Sequence, residues 1–299
     1  MEKDLLSIIL LNRFTTEHNF EKPNDLKGIR LMCLAGMTVM QDFNEIFMAY
    51  GQSDEFSFVF ERKAEVFNRR SEKIVSCVVS RFTSAYMFYW KSIFSTVELK
   101  TPPSFDARIV LYPSYINLRD YFSWRQADCH INNLYNTCFW ALVESGKYSK
   151  QQANELLKPT FSCDKNEILF KQFNINYNTL PKVFRKGTTL YRKIEKKEKK
   201  SKKKEKSKKE DNNEQLKENQ NSQNVEVLVK NKEEIKEEET KKINENMNDI
   251  LDNKTENILM EDTNFQEIYK KSFNNIFISN EDIIKPDFWV SNSFTENEI

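Results

Sequence analysis

The 299-residue chain balances 46 Lys and Arg against 45 Asp and Glu, so its net charge singles out no class of partner. Five scattered cysteines (Cys33, Cys77, Cys129, Cys138 and Cys163) with no CxxC pair leave no basis for a disulfide framework or a zinc knuckle, and the two histidines, His18 and His130, are too far apart in sequence for a His-based metal site. Scarce Gly (5) and Pro (7) with 13% aromatics fit a helix-rich body around an aromatic core, its thiols free in a reducing compartment.

Leu5 to Leu11 (LLSIILL) is an unbroken apolar run of strand length, too short to span a bilayer and preceded by Glu2, Lys3 and Asp4 rather than a secretory cationic stretch. Residues 12 to 25 form a polar loop ending in Asn24 or Asp25, either of which can cap a helix from Leu26. Leu26, Ile29, Cys33, Met37 and Met40 then give that helix a buried stripe. Residues 46 to 60 predict a hairpin. An apolar run, Ile46 to Tyr50, is broken at Gly51-Gln52, and Phe56, Phe58 and Phe60 alternate in the second strand. A long helix is predicted over Glu65 to Phe94, a strand over Ala107 to Leu111, helices over Leu118 to Val143 and Gln151 to Leu157, and a strand over Thr188 to Tyr191. The interleaved order predicts an α+β fold, an antiparallel sheet backed by helices, over residues 1–192. Residues 193–262, rich in Lys, Glu and Asn, predict a disordered charged insertion, with a plain spacer role favoured over attraction to RNA or an import receptor. In residues 263–299, Ile283, Ile284, Phe288 and Trp289 predict a segment that docks back on the core.

Three stretches carry chemistry. In GQSDEFSFVF (51–60), Asp54 falls at the hairpin tip, where a carboxylate can face a bound ion while the sheet holds its backbone. On this stretch alone, ordinary turn chemistry at Ser53-Asp54 is the favoured reading. In SWRQADCHINNLYNTCFWAL (123–142), Arg125, Asp128, Asn132 and Asn136 share one helix face, as a hydrogen-bonding site or as a network that buttresses the core. In DKNEILFKQFNINYN (164–178), Lys165 and the alternating Asn174, Asn176 and Asn178 beside Phe173 and Tyr177 are groups that read unpaired nucleotides. An ordinary polar loop is the alternative.

With HNFEKPND (18–25) and FRKGT (184–188), these stretches resemble the tRNA(His) guanylyltransferase family from about Asn12 to Tyr191, and weakly again near 281–289. The resemblance implies a fold like a polymerase palm, two carboxylate-held Mg²⁺ ions, ATP and GTP as substrates, histidine tRNA as partner and a homotetramer. It implies no membrane association and a cytoplasmic or nuclear location. It implies addition of a guanosine to the tRNA 5′ end, in the 3′ to 5′ direction. ATP activates the 5′-phosphate, and the 3′-hydroxyl of GTP displaces AMP. Residue by residue, Asp54 matches a metal-binding Asp, Glu55 the adjacent acid, and Ser53 a neighbour at the nucleotide. Lys22 matches a triphosphate-contacting lysine, and Asn12 stands where the family has a nucleotide-site histidine. His130, Lys165, Asn174 and Asn176 lie in motifs associated with tRNA.

The family's other metal-binding Asp-Gly pair aligns with Ser7 and Ile8, and Ser lacks the charge to replace a carboxylate. Two accounts follow: an N-terminus that is not the native one, favoured because the other motifs are intact, or a tRNA-binding homologue without catalysis. A template-dependent 3′–5′ tRNA repair polymerase is the remaining alternative.

Overall fold

A computed structural model describes residues 3–10, 13–192 and 258–294. Asn12 and residues 193–257, which hold most of the expected insertion, lie outside the described residues. The N-terminal apolar run is strand β1 (Lys3–Leu10), paired between β3 (Glu55–Phe60) and β4 (Phe105–Tyr112). Both faces of this inner strand are covered over most of its length, so the run needs no polar alternation: Leu5, Leu6 and Ile8 are fully buried, while Ile9 near its end is exposed. Strands β2 (Ile46–Gln52), β5 (Thr188–Tyr191) and β6 (Phe277–Ser279) complete an open six-stranded sheet of order β4-β1-β3-β2-β5-β6, antiparallel at every pairing. The fold is α+β, with helices on both faces of the sheet.

Strand alternation divides the core. Leu6, Ile8 and Leu10 of β1 and Phe56 and Phe58 of β3 pack towards α1 (Arg13–Glu17), α2 (Leu26–Asp42) and α3 (Ser71–Ile93). Leu5 and Val59 face the other way, onto Leu118 and Phe122 of α4 (Tyr115–Glu144) and onto Phe288 and Trp289. Helix α2 is capped by Asp25, whose Oδ1 accepts from the Gly28 N–H at 3.0 Å. It is buried almost all round from Arg30 to Met40 rather than along one stripe, because it sits against both the sheet and α3. Helix α3 starts at Ser71, later than the expected Glu65: Phe67, Asn68 and Arg69 have φ of 50°, 54° and 57°, which no right-handed helix can hold.

The far half of α4 packs on α5 (Lys150–Leu157) and α6 (Ser162–Phe173) through Leu134, Leu142, Leu157 and Leu169. Residues 164–173, for which the sequence offered an ordinary polar loop, are helical. Asn174 ends α6 in the left-handed region at φ 54°. Helix α7 (Lys182–Lys186) leads into β5. The described C-terminal part begins with a 3₁₀ turn at Ile258–Glu261, inside the stretch assigned to the insertion. Arg30 donates to the carbonyls of Leu259 and Ile258 at 2.9 and 2.6 Å. Helices α8 (Thr263–Ser272) and α9 (Pro286–Ser291) follow. Gln126 of α4 clamps the last segment. Its amide nitrogen donates to the carbonyls of Lys186 and Glu281, both at 3.0 Å, and its oxygen accepts from the Ile283 N–H at 2.9 Å.

Candidate functional site

The β2–β3 hairpin closes tightly. Gln52 pairs with Glu55, leaving Ser53 and Asp54 as a two-residue turn. Ser53 adopts φ 49°, a left-handed conformation costing about 1–2 kcal/mol. Just before it, Gly51 is required for space: a Cβ there would lie 2.2 Å from the Phe56 ring. The Asp54 carbonyl accepts from the Leu10 N–H at 2.9 Å, fastening the turn to the end of β1.

Asp54 thus stands between two adjoining hollows of about 290 and 270 Å³. The first is walled by the loop Glu21–Asp25, by Met32 of α2 and by Tyr86 of α3, the second by Arg125, Asp128 and Asn132 of α4, with Asn136 reaching both. Burial raises the Asp54 pKa; its own backbone N–H, the Ser53 hydroxyl and Lys22 pull the other way. Lys22 is exposed at the rim.

Glu55 points to the opposite face. It is ion-paired with Arg125 and accepts from the Ser7 hydroxyl at 3.1 Å. Burial also raises its pKa, against Arg125 and Ser7. Arg125 reaches Asp128 at 3.6 Å, and Asp128 accepts from Gln52 at 3.2 Å and Asn132 at 2.9 Å. The polar face of α4 read from sequence is therefore a network that steadies the hairpin, and it also lines the second hollow.

A second chain of bonds crosses the cleft. Asn24 donates to Asn133 at 2.8 Å, Asn133 donates to the Tyr177 hydroxyl at 3.1 Å, and that hydroxyl donates to the His130 carbonyl at 3.2 Å. His130 is exposed beside Tyr177, with ring centroids 5.3 Å apart; burial and Arg185 lower its pKa. Asn174 and Asn176 are exposed but make turns rather than sharing one side of an extended strand. Asn174 is the left-handed cap of α6, and the Asn176 side chain accepts from the Asn178 N–H at 3.1 Å. The Lys165 ammonium is held inward, donating to the carbonyl and hydroxyl of Thr160, both at 2.8 Å. His130 is thus brought to the 174–178 turn, while Lys165 is committed to Thr160 at the other end of α6. Tyr86, buried with no partner for its hydroxyl, lines the first hollow but had no signal in the sequence beyond the aromatic run it belongs to.

The donor set does not fit two carboxylate-held Mg²⁺ ions. Of the hairpin acids, Asp54 lines both hollows, whereas Glu55 lines the second alone and is engaged there by Arg125. Ser7, the position aligned with the missing acid, pairs with Ser57 in the sheet and bonds Glu55, away from Asp54. Among the described residues, no cluster of three or more His, Cys, Asp or Glu side chains is placed to hold a metal.

Comparison with known proteins identifies relatives of this arrangement. Residues 10–113 match the family model described as tRNAHis guanylyltransferase, and residues 116–285 match the model described as Thg1 C terminal domain. A probable tRNA(His) guanylyltransferase of Mus musculus is 54% identical over 185 residues, 62% of either chain, and one of Dictyostelium discoideum is 53% identical over 183 residues, 61% of this chain and 71% of that protein. This chain therefore spans about 62% of the length of the mammalian relatives it matches. The crystal structure of the Saccharomyces cerevisiae tRNA(His) guanylyltransferase is 37% identical with a TM-score of 0.61, covering 64% of this chain and 85% of that one. A bacterial tRNA(His) guanylyltransferase-like protein in complex with ATP shares the fold at a TM-score of 0.54 and 20% identity over 64% of this chain and 79% of that one. On the family models and the yeast structure together, the chain belongs to the tRNA(His) guanylyltransferase family.

Proposed function

We propose that the chain is a nucleotidyltransferase that adds a guanosine to the 5′ end of histidine tRNA, on a palm-like sheet. ATP activates the 5′-monophosphate and the 3′-hydroxyl of GTP displaces AMP. The observation that carries this is Asp54, a half-buried carboxylate on a braced hairpin tip, facing a cleft with Lys22 at its rim. Lys22 neutralises phosphate charge, and the amide-rich wall of Asn132 and Asn136 takes the edge of a base. Exposed His130, Asn174 and Asn176 meet the tRNA. A bacterial relative of the same fold, solved in complex with ATP, supports a nucleoside triphosphate as substrate. The resemblance also supplies the homotetramer, for which exposed apolar side chains such as Phe88 and Trp124 offer surface. The cytoplasmic or nuclear location rests on five free thiols.

A second reading, a tRNA- and nucleotide-binding homologue without turnover, is favoured by the absence, among the described residues, of an acid cluster placed to hold a metal beside Asp54. One experiment separates the two: incorporation of labelled GTP into histidine tRNA transcript with ATP and Mg²⁺, comparing wild type with Asp54→Ala. Incorporation lost in the variant supports the transferase. No incorporation by wild type, with tRNA still bound, supports the binding homologue. Addition to 5′-truncated tRNAs of other kinds identifies the repair polymerase.

A further inference from the structure

Aligned by sequence, the position of the absent acid is Ser7. The sheet says otherwise. Ser7 is paired with Ser57 and Ile9 with Glu55, and the Leu10 N–H bonds the Asp54 carbonyl, so the residue level with Asp54 is Leu10. Leu10 is three positions on from Ser7. An odd step along a strand changes face, because side chains alternate with period two. Ser7 accordingly lies on the α4 face with Glu55, whereas Leu10 lies on the α2–α3 face, in one core cluster with Ile8 and Phe56, and lines the same hollow as Asp54.

We infer that Leu10, not Ser7, occupies the place where a second oxygen ligand would complete a divalent-cation site with Asp54, and that its isobutyl group limits the cleft to one weakly held cation. The inference deepens the proposed function and rests on it for why a cation matters there. Hard cations are held by charged oxygen ligands, and affinity follows their number. A carboxylate carried by residue 10 shares the first hollow with Asp54, while one carried by residue 7 meets Glu55 and Arg125 at the back of the second, and Ser7 itself lines neither.

The test is titration of the chain with Mn²⁺ alone, following free Mn²⁺ by electron paramagnetic resonance. Neither nucleotide nor tRNA is present, so the result is independent of whether GTP is incorporated. Wild type is expected to take up at most one Mn²⁺ in the cleft, weakly, and to lose it in Asp54→Asn. Leu10→Asp is expected to tighten uptake by more than about tenfold. That gain should vanish in Leu10→Asp/Asp54→Asn and be absent from both Leu10→Asn and Ser7→Asp. A gain in Ser7→Asp equal to that in Leu10→Asp overturns the inference. So does a folded Leu10→Asp with wild-type affinity. Should circular dichroism show Leu10→Asp unfolded, the wild-type count decides. Two Mn²⁺ taken up tightly and lost together in Asp54→Asn overturn the inference, and one or none upholds it.

Discussion

Replacing Arg125 with leucine tests how the hairpin tip is held. The guanidinium contacts Glu55, lies 3.6 Å from Asp128 and stacks 4.8 Å from the Trp124 ring centre. Its side chain is 8% exposed and that of Glu55 17%. Removing one partner of a buried pair strands the other charge, at a cost of about 3–5 kcal/mol; the partial exposure of Glu55 places this pair near the lower end, about 3 kcal/mol at pH 7. For a domain of this size that is about 6–12 °C in Tm. The deficit depends on pH. The Glu55 pKa is already raised by burial, and loss of Arg125 raises it further. A raised carboxyl pKa means that the folded state suffers only while the group is ionised. The penalty is full above the folded-state pKa and gone below the unfolded one. Denaturant melts at pH 7 and near pH 4 should show the gap between wild type and Arg125→Leu closing in acid, and Arg125→Leu/Glu55→Gln recovering more than half of it at pH 7. A variant within about 0.5 kcal/mol of wild type, or a deficit indifferent to pH, refutes the assigned role of the pair.

Asp54→Asn should raise Tm at neutral pH, since burial disfavours the carboxylate, and the gain should disappear below the ordinary carboxylate range; a loss of stability at pH 7 contradicts this. Gly51→Ala places a Cβ 2.2 Å from the Phe56 ring, with an expected cost of about 1–3 kcal/mol in urea unfolding, and an unchanged midpoint counts against the close packing of the hairpin. Lys165→Met should lose about 1 kcal/mol with its Thr160 bonds yet keep its affinity for histidine tRNA, whereas His130→Ala should weaken that affinity. Filter binding that ranks the two variants the other way round refutes the assignment.

Much of the fold was legible because its signals are local. The Asp25 cap, the hairpin about Ser53-Asp54 and the unbroken apolar strand each follow from a few adjacent residues. The polar face of α4 was legible as a unit, but what it touches was not, since the Arg125–Glu55 pair joins residues 70 apart. Helix α6 was missed because its one fully buried side chain, Leu169, is too little to set a period, and the asparagines after it resemble an alternating strand. The late start of α3 was invisible because Phe67 and Asn68 take left-handed conformations that neither residue type demands. Which residue of β1 stands level with Asp54 was not legible, because that depends on strand pairing, which aligned positions do not give.

Asn133 has one carboxamide and spends it on two neighbours. Its oxygen holds Asn24, in the loop that carries Lys22, and its nitrogen holds Tyr177, in the turn beside His130. A planar amide turns as one piece, so a rotation that releases one neighbour misaims the other. The loop at the cleft rim and the turn some 150 residues later in the chain are thus hinged on a common pin: whatever displaces one loosens the grip on both.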